Sequence, residues 1–255
     1  RGPTGTPSVR RPGGVAGRHW SRSVEATVQP VSASGTPSTS KRRGRPRSPG
    51  GRARVVDERL AELYPDARCE LDHTNAFELL TATILSAQTT DVRVNMVTPA
   101  LFERYPTPED LGSADPEEVE ELVRSTGFYK AKTRSIMGMA RALVERHHGE
   151  VPGAMKDLVA LPGVGRKTAN VVRSEALGLP GLPVDTHVLR LSRLLGLTTE
   201  TDPVKVEMEL NPMVPAADRG AFSLRLILHG RRVCIARRPR CGECVLADFC
   251  PSSRV

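Results

Sequence analysis

From residue 53 onward, apolar residues recur at helical spacing, and no segment alternates convincingly with period two. A chain with that pattern supplies helices and no half-buried strands, so it reads as an all-α fold of about ten helices. RVVDERLAEL places apolar residues at 55, 56, 60 and 63, and NAFELLTATILSA (75–87) is apolar enough to be a buried helix. VRVNMVTPALFERY, PEEVEELVRST and AKTRSIMGMARALVERHH continue the series. MKDLVAL, RKTANVVRSEAL, THVLRLSRLLGL, PVKVEMELNPM and AFSLRLILHG complete it. Asp115 before Pro116 has the form of a helix N-cap followed by a first-turn proline. No run of 18 apolar residues is present, so no membrane-spanning helix is expected.

Residues 1–52 are of another kind. They are rich in Arg, Pro, Gly, Ser and Thr without a hydrophobic period, which predicts a disordered basic tail. An organellar transit peptide has a similar Arg- and Ser-rich, acid-poor composition, but the many Pro and Gly residues oppose an amphipathic helix. Residues 1–54 hold 12 Lys/Arg and one acid, a net +11; the rest hold 25 Lys/Arg and 28 acids, a net −3. The overall +8 therefore comes from the tail. Within it, KRRGRPRS (41–48) has the Arg-Gly-Arg-Pro core of a minor-groove-binding AT-hook, although compositional bias alone would also produce it.

LPGVGRKTAN (161–170) is a glycine turn followed by a lysine. It is no triphosphate loop, because one residue rather than four separates the glycines and a helix precedes it. Pro162 ends that helix, and Gly163 and Gly165 permit positive φ and leave backbone N–H groups uncovered. With the start of the next helix they form an anion site the size of one phosphate diester. An ordinary helix–turn–helix corner would look the same. Lys167 lies in the first turn of that next helix, where the dipole and Arg166 both disfavour a cation and lower a lysine pKa. A neutral amine is a nucleophile able to attack a sugar C1′, whereas a plain phosphate contact is the commoner use of Lys beside DNA. In LPVDTHVLRL, Asp185 or Thr186 is the expected N-cap, and Asp185 facing Lys167 would give a carboxylate to steady developing positive charge.

Four cysteines close the chain as Cys234-x6-Cys241-x2-Cys244-x5-Cys250. Their clustering favours a metal site in a reducing compartment over disulfides, and one CxxC with two longer arms favours an iron–sulfur cluster over zinc. Seven arginines and no acid occupy 219–240, including Arg231, Arg237 and Arg238. That is the strong basic patch of the net-acidic part. Cys69 reads as a small side chain without a role.

Taken together, LPGVGRKTANVV, VDTHV, ILSAQTTDVRVN, ILHGRRVCIARRPRC and the cysteine spacing resemble the endonuclease III family of DNA glycosylases, over residues 53–252. The resemblance implies a two-lobed all-α helix–hairpin–helix fold with a C-terminal [4Fe–4S] loop. One lobe would be 53–72 plus 180–255, the other 73–179 ending in the hairpin at 155–178. It implies a bifunctional glycosylase and abasic-site lyase of base-excision repair, acting on oxidised pyrimidines. Lys167 would be the Schiff-base nucleophile and Asp185 its partner. Damaged double-stranded DNA would be the partner, contacted by Gln88, Phe128, Leu161, Gly163, Gly165, Arg166, His187 and Arg231. Cys234, Cys241, Cys244 and Cys250 would hold the cluster. A monomer located in the cytoplasm at the nucleoid is expected for a bacterial source. The sequence departs from the family at Arg173-Ser174-Glu175, where Leu-Gly-Asn is usual, which puts lesion preference in doubt. Two alternatives stand beside this reading. One is a monofunctional adenine glycosylase, whose carboxylate has no counterpart in TATIL (81–85). The other is a non-enzymatic DNA-binding protein with a structural metal.

Overall fold

The computed structural model describes residues 46–255. Eleven α-helices and four short 3-10 turns make up the described residues, which contain no strand. The AT-hook-like segment lies outside them up to residue 45. The tail expectation fails at its end: helix α1 (Pro49–Leu63) already includes residues 49–52. The reason is local, because Ser48 accepts from Gly51 N–H and Pro49 occupies the first turn.

Two hydrophobic cores lie in the described chain. The first centres on α2 (Ala76–Leu85), in which eight of ten residues are buried. Around it stand α3 (Asp91–Arg104), α4 (Pro108–Ser113), α5 (Pro116–Val123), α6 (Tyr129–His147), α7 (Met155–Val159) and α8 (Arg166–Glu175). Leu79, Leu80 and Leu85 of α2 meet Ile136, Met139 and Leu143 of α6 there. The second core joins α1 to α9 (Thr186–Leu194), α10 (Pro203–Leu210) and α11 (Arg219–Arg232). Val56 and Leu60 pack with Val188, Leu191, Phe222 and Leu226. Helix α11 also touches α8, so the cores meet along these two helices.

Asp115 caps α5 as its sequence predicts, accepting from Glu117 N–H. Helix α4 is the one the periodicity did not reveal, since six residues (PEDLGS) are too few to show a repeat. Thr107 and Pro108 start it.

Candidate active site

A cleft of about 500 Å³ opens where the cores meet. Lys167, in the first turn of α8, and Asp185, at the head of α9, both line it. The fold thus brings together two side chains 18 positions apart. Asp185 is the N-cap of α9: its Oδ1 accepts from His187 N–H and Val188 N–H, both at 2.8 Å. Neither of those bonds uses Oδ2.

The hairpin before Lys167 keeps its shape through packing. Val164 N–H closes on Leu161 O at 3.1 Å. Gly163 has φ +77° and lies so close to α6 that a Cβ would stand 2.7 Å from Ser135 Cβ. Glycine is required there on both counts. Gly165 is different: its φ is −89° and nothing lies within 4 Å of a Cβ, so the expected positive φ is corrected. It is the N-cap of α8 and offers no side chain to the first-turn N–H groups, which suits an external anion.

Three expected contact residues are tied up in the fold. Leu161 is buried, and its side chain anchors the hairpin in the first core. Arg166 makes a two-pronged ion pair with buried Glu207 of α10, Nε to Oε2 at 2.7 Å and Nη2 to Oε1 at 2.9 Å. Its charge is neutralised rather than turned on Lys167, contrary to the sequence argument. His187 has a buried Nδ1 without a hydrogen-bond partner, and a Cβ on Gly230 would approach it to 2.8 Å.

Arg231 does line the cleft, paired with Glu70 at 2.6 Å. The rest of the arginine patch divides. Arg225 pairs with Asp57, Arg219 donates to Asn211 O, and Arg232 lies over the Tyr64 ring. Arg237 and Arg238 are exposed. Gln88 and Phe128 are also exposed, and both adopt left-handed backbone, φ +56° and +47°. Non-glycine residues hold that conformation only where their surroundings enforce it.

The sequence reading missed four cleft residues: Cys69, Glu70, Asp91 and Glu175. Asn95 fixes the 70–72 loop, accepting from Asp72 N–H and donating to Glu70 O. Burial pushes the Asp91 carboxyl up, helped by Glu70 and opposed by Arg231 and Lys167. Burial raises Glu175 as well, against a hydrogen bond from the Cys69 backbone. The Cys69 thiol is pushed up to about 11 by burial, so it is inert as a thiolate. Glu175 was legible in one respect: with Lys167 and Val171 it forms an i, i+4, i+8 stripe on α8, and all three line the cleft. Its neighbour Arg173 turns away, donating to Pro180 O and Gly153 O.

The four cysteines line a second, smaller cavity of about 180 Å³ beyond α11. Each is half-buried and joined in no disulfide. Among the described residues no three His, Cys, Asp or Glu converge to hold a single metal ion. Four thiols around one mostly apolar cavity suit a larger group. N–H donors face two of the sulfurs: Arg190 approaches Cys234 Sγ at 3.6 Å, and Leu246 N–H approaches Cys244 Sγ at 3.4 Å. Burial pushes the Cys244 and Cys250 thiols up, and neighbouring thiols add to it. A cationic iron group would reverse that balance by binding them as thiolates.

Comparison with known proteins follows the same division. Residues 81–216 match the model of the HhH-GPD superfamily base excision DNA repair protein, and residues 234–250 match the iron-sulfur binding domain of endonuclease III. Endonuclease III of Synechocystis sp. is 55% identical over 76% of this chain and 90% of its own length. Two solved structures share 43% identity and a TM-score of 0.75, each over 80% of this chain. One is a non-covalent endonuclease III–DNA complex, covered to 95%; the other is a trapped endonuclease III–DNA covalent intermediate, covered to 96%.

Proposed function

The chain belongs to the endonuclease III family of base excision DNA repair enzymes, and on that premise we propose how its own residues carry out the reaction. As a family member it is a DNA glycosylase and abasic-site lyase with a [4Fe–4S] cluster. The proposed nucleophile is Lys167. Its amine attacks C1′ of the flipped nucleotide as the bond from C1′ to the base breaks, and the base leaves with a proton. The C1′–O4′ bond then opens to give the imine. Loss of a C2′ proton and rupture of the C3′–O3′ bond complete β-elimination on the 3′ side. Asp185 stabilises the positive charge that develops at C1′, and its Oδ2 handles the departing protons while Oδ1 holds α9. The observation that carries this assignment is the convergence of Lys167 and Asp185 on one cleft between two cores.

The DNA would run across that cleft as a monomeric enzyme binds it. One lobe would be 73–179 and the other 53–72 with 180–255, the latter extended by the start of α1 at Pro49. The first-turn N–H groups after Gly165 take a backbone phosphate, and Gln88 and Phe128 enter the duplex where the lesion leaves it. Cys234, Cys241, Cys244 and Cys250 hold the cluster. When bound, the cluster staples the 234–250 loop and so presents Arg237 and Arg238 to phosphates. The substrate class is oxidised pyrimidines in duplex DNA.

Asp185→Asn tests the assignment cleanly, because asparagine also caps a helix. On a duplex carrying one thymine glycol, the variant should keep its melting temperature and DNA affinity but lose about 100-fold or more in turnover. Excision undiminished by Asp185→Asn, or activity confined to adenine opposite a damaged purine, would overturn it.

A further inference from the structure

Gln88 and Phe128 belong to different turns, 40 positions apart, yet one atom joins them. The carbonyl oxygen of Thr126 accepts from the Thr89 hydroxyl at 2.6 Å and from the Lys132 ammonium at 2.7 Å. Thr89 is the residue after Gln88. Thr126 precedes the left-handed pair Gly127 (φ +71°) and Phe128 (φ +47°). Lys132 sits in the first turn of α6 and reaches back over that pair, whose Phe128 carbonyl accepts from Ala131 and Lys132 N–H. Thr126 is itself pinned, 1% exposed, with its hydroxyl on Val123 O at 2.8 Å.

Lys132 is only 5% exposed and has no carboxylate partner among the described residues. A buried, unpaired ammonium is costly to keep in a fold. A carbonyl with both lone pairs occupied, one by a charged donor, is a strong and directional joint. The two side chains attached to this joint are exposed and held in a backbone conformation that non-glycine residues avoid.

We infer that Thr89 and Lys132 are positioning residues: they grip Thr126 O so that the Gln88 and Phe128 turns act as one rigid wedge when a base-paired lesion is opened. This rests on the reading that those two side chains enter the duplex. Rigidity matters for extruding a stacked, paired base, since the binding energy of the wedge must offset unpairing. It matters little for a site that has already lost its base.

The test compares two duplexes, one with a thymine glycol opposite adenine and one with a preformed abasic site. Thr89→Val deletes the hydroxyl at constant shape. It should lower single-turnover base excision about five- to tenfold, the worth of one such bond. Cleavage of the abasic duplex should change less than twofold, and the melting temperature should hold. Thr89→Ser should restore excision. Lys132→Met should reproduce the pattern more strongly, and Thr89→Val added to Phe128→Ala should cost nothing further. Equal losses on both duplexes would reduce Thr89 to a structural role and overturn the inference. Gln88→Ala and Phe128→Ala separate the two levels. If they leave excision intact, the wedge reading itself fails. If they lower it while Thr89→Val does not, the wedge stands and the clamp is wrong.

Discussion

The hairpin at 161–167 belongs to the first core and the cysteine loop at 234–250 to the second, and they keep their shapes by different means. Leu161, Val164 and Ala169 sink the hairpin into the first core, and Gly163 lets α6 approach it. Its shape is therefore built from packing that exists without any ligand. The cysteine loop has one 3-10 turn, Cys241–Glu243, and two deeply buried anchors, Leu246 and Phe249. So short a segment without helix or strand needs a staple, and four thiols around one cavity provide for it. The contrast separates a rigid anchor for chemistry from a surface element conditional on its cofactor.

The largest effect should come from the cofactor side. Cys244→Ser should abolish the iron–sulfur chromophore and open the loop to trypsin at Arg237 and Arg240, both exposed and neither followed by proline, while helical circular dichroism persists. Global unfolding of that variant would mean that the loop supports more of the fold than the contrast allows. Next comes the ion pair that holds α8 to α10. Arg166→Ala leaves buried Glu207 with only Asn170 as a side-chain partner. It should cost about 2–3 kcal/mol in denaturant unfolding, below a fully buried pair because Arg166 is partly exposed. A loss confined to DNA affinity would return Arg166 to the phosphate role.

The two hairpin glycines offer a finer cut. Gly163→Ala meets both a left-handed backbone and Ser135, and should cost about 2–3 kcal/mol. Gly165→Ala meets open space and should stay within about 0.5 kcal/mol. Equal costs would break the claim that packing shapes the hairpin. The smallest effect belongs to Glu175. Burial raises its carboxyl above the ordinary 4.5, so the folded state binds more protons than the unfolded state in that window. Stability then falls as pH rises through it. Glu175→Gln should flatten the fall and be no less stable at neutral pH, as thermal melts across acidic to neutral pH would record.

The helices were legible because each long one buries a periodic face, as α6 does with Thr133, Ile136, Met137, Ala140 and Leu143. Short α4 was not, having too few residues to repeat. The roles proposed for Lys167 and the cysteines were carried by local motifs. Partners distant in sequence were invisible: Glu207 lies 41 positions from Arg166, and Asn95 lies 25 from Glu70. The positive-φ reading of Gly165 failed for a related reason. Its neighbours in sequence mark a turn, but only the approach of α6 decides which glycine must bend. The same holds for the Thr89–Thr126 joint, which no spacing rule would link.

The most direct measurement is borohydride trapping on a duplex with a single abasic site, with wild type and Lys167→Ala side by side. The assignment of Lys167 predicts a covalent protein–DNA band that disappears in the variant, while the variant still binds the duplex. A band that persists without Lys167, or no band from a wild type that binds DNA with its cluster intact, would contradict it.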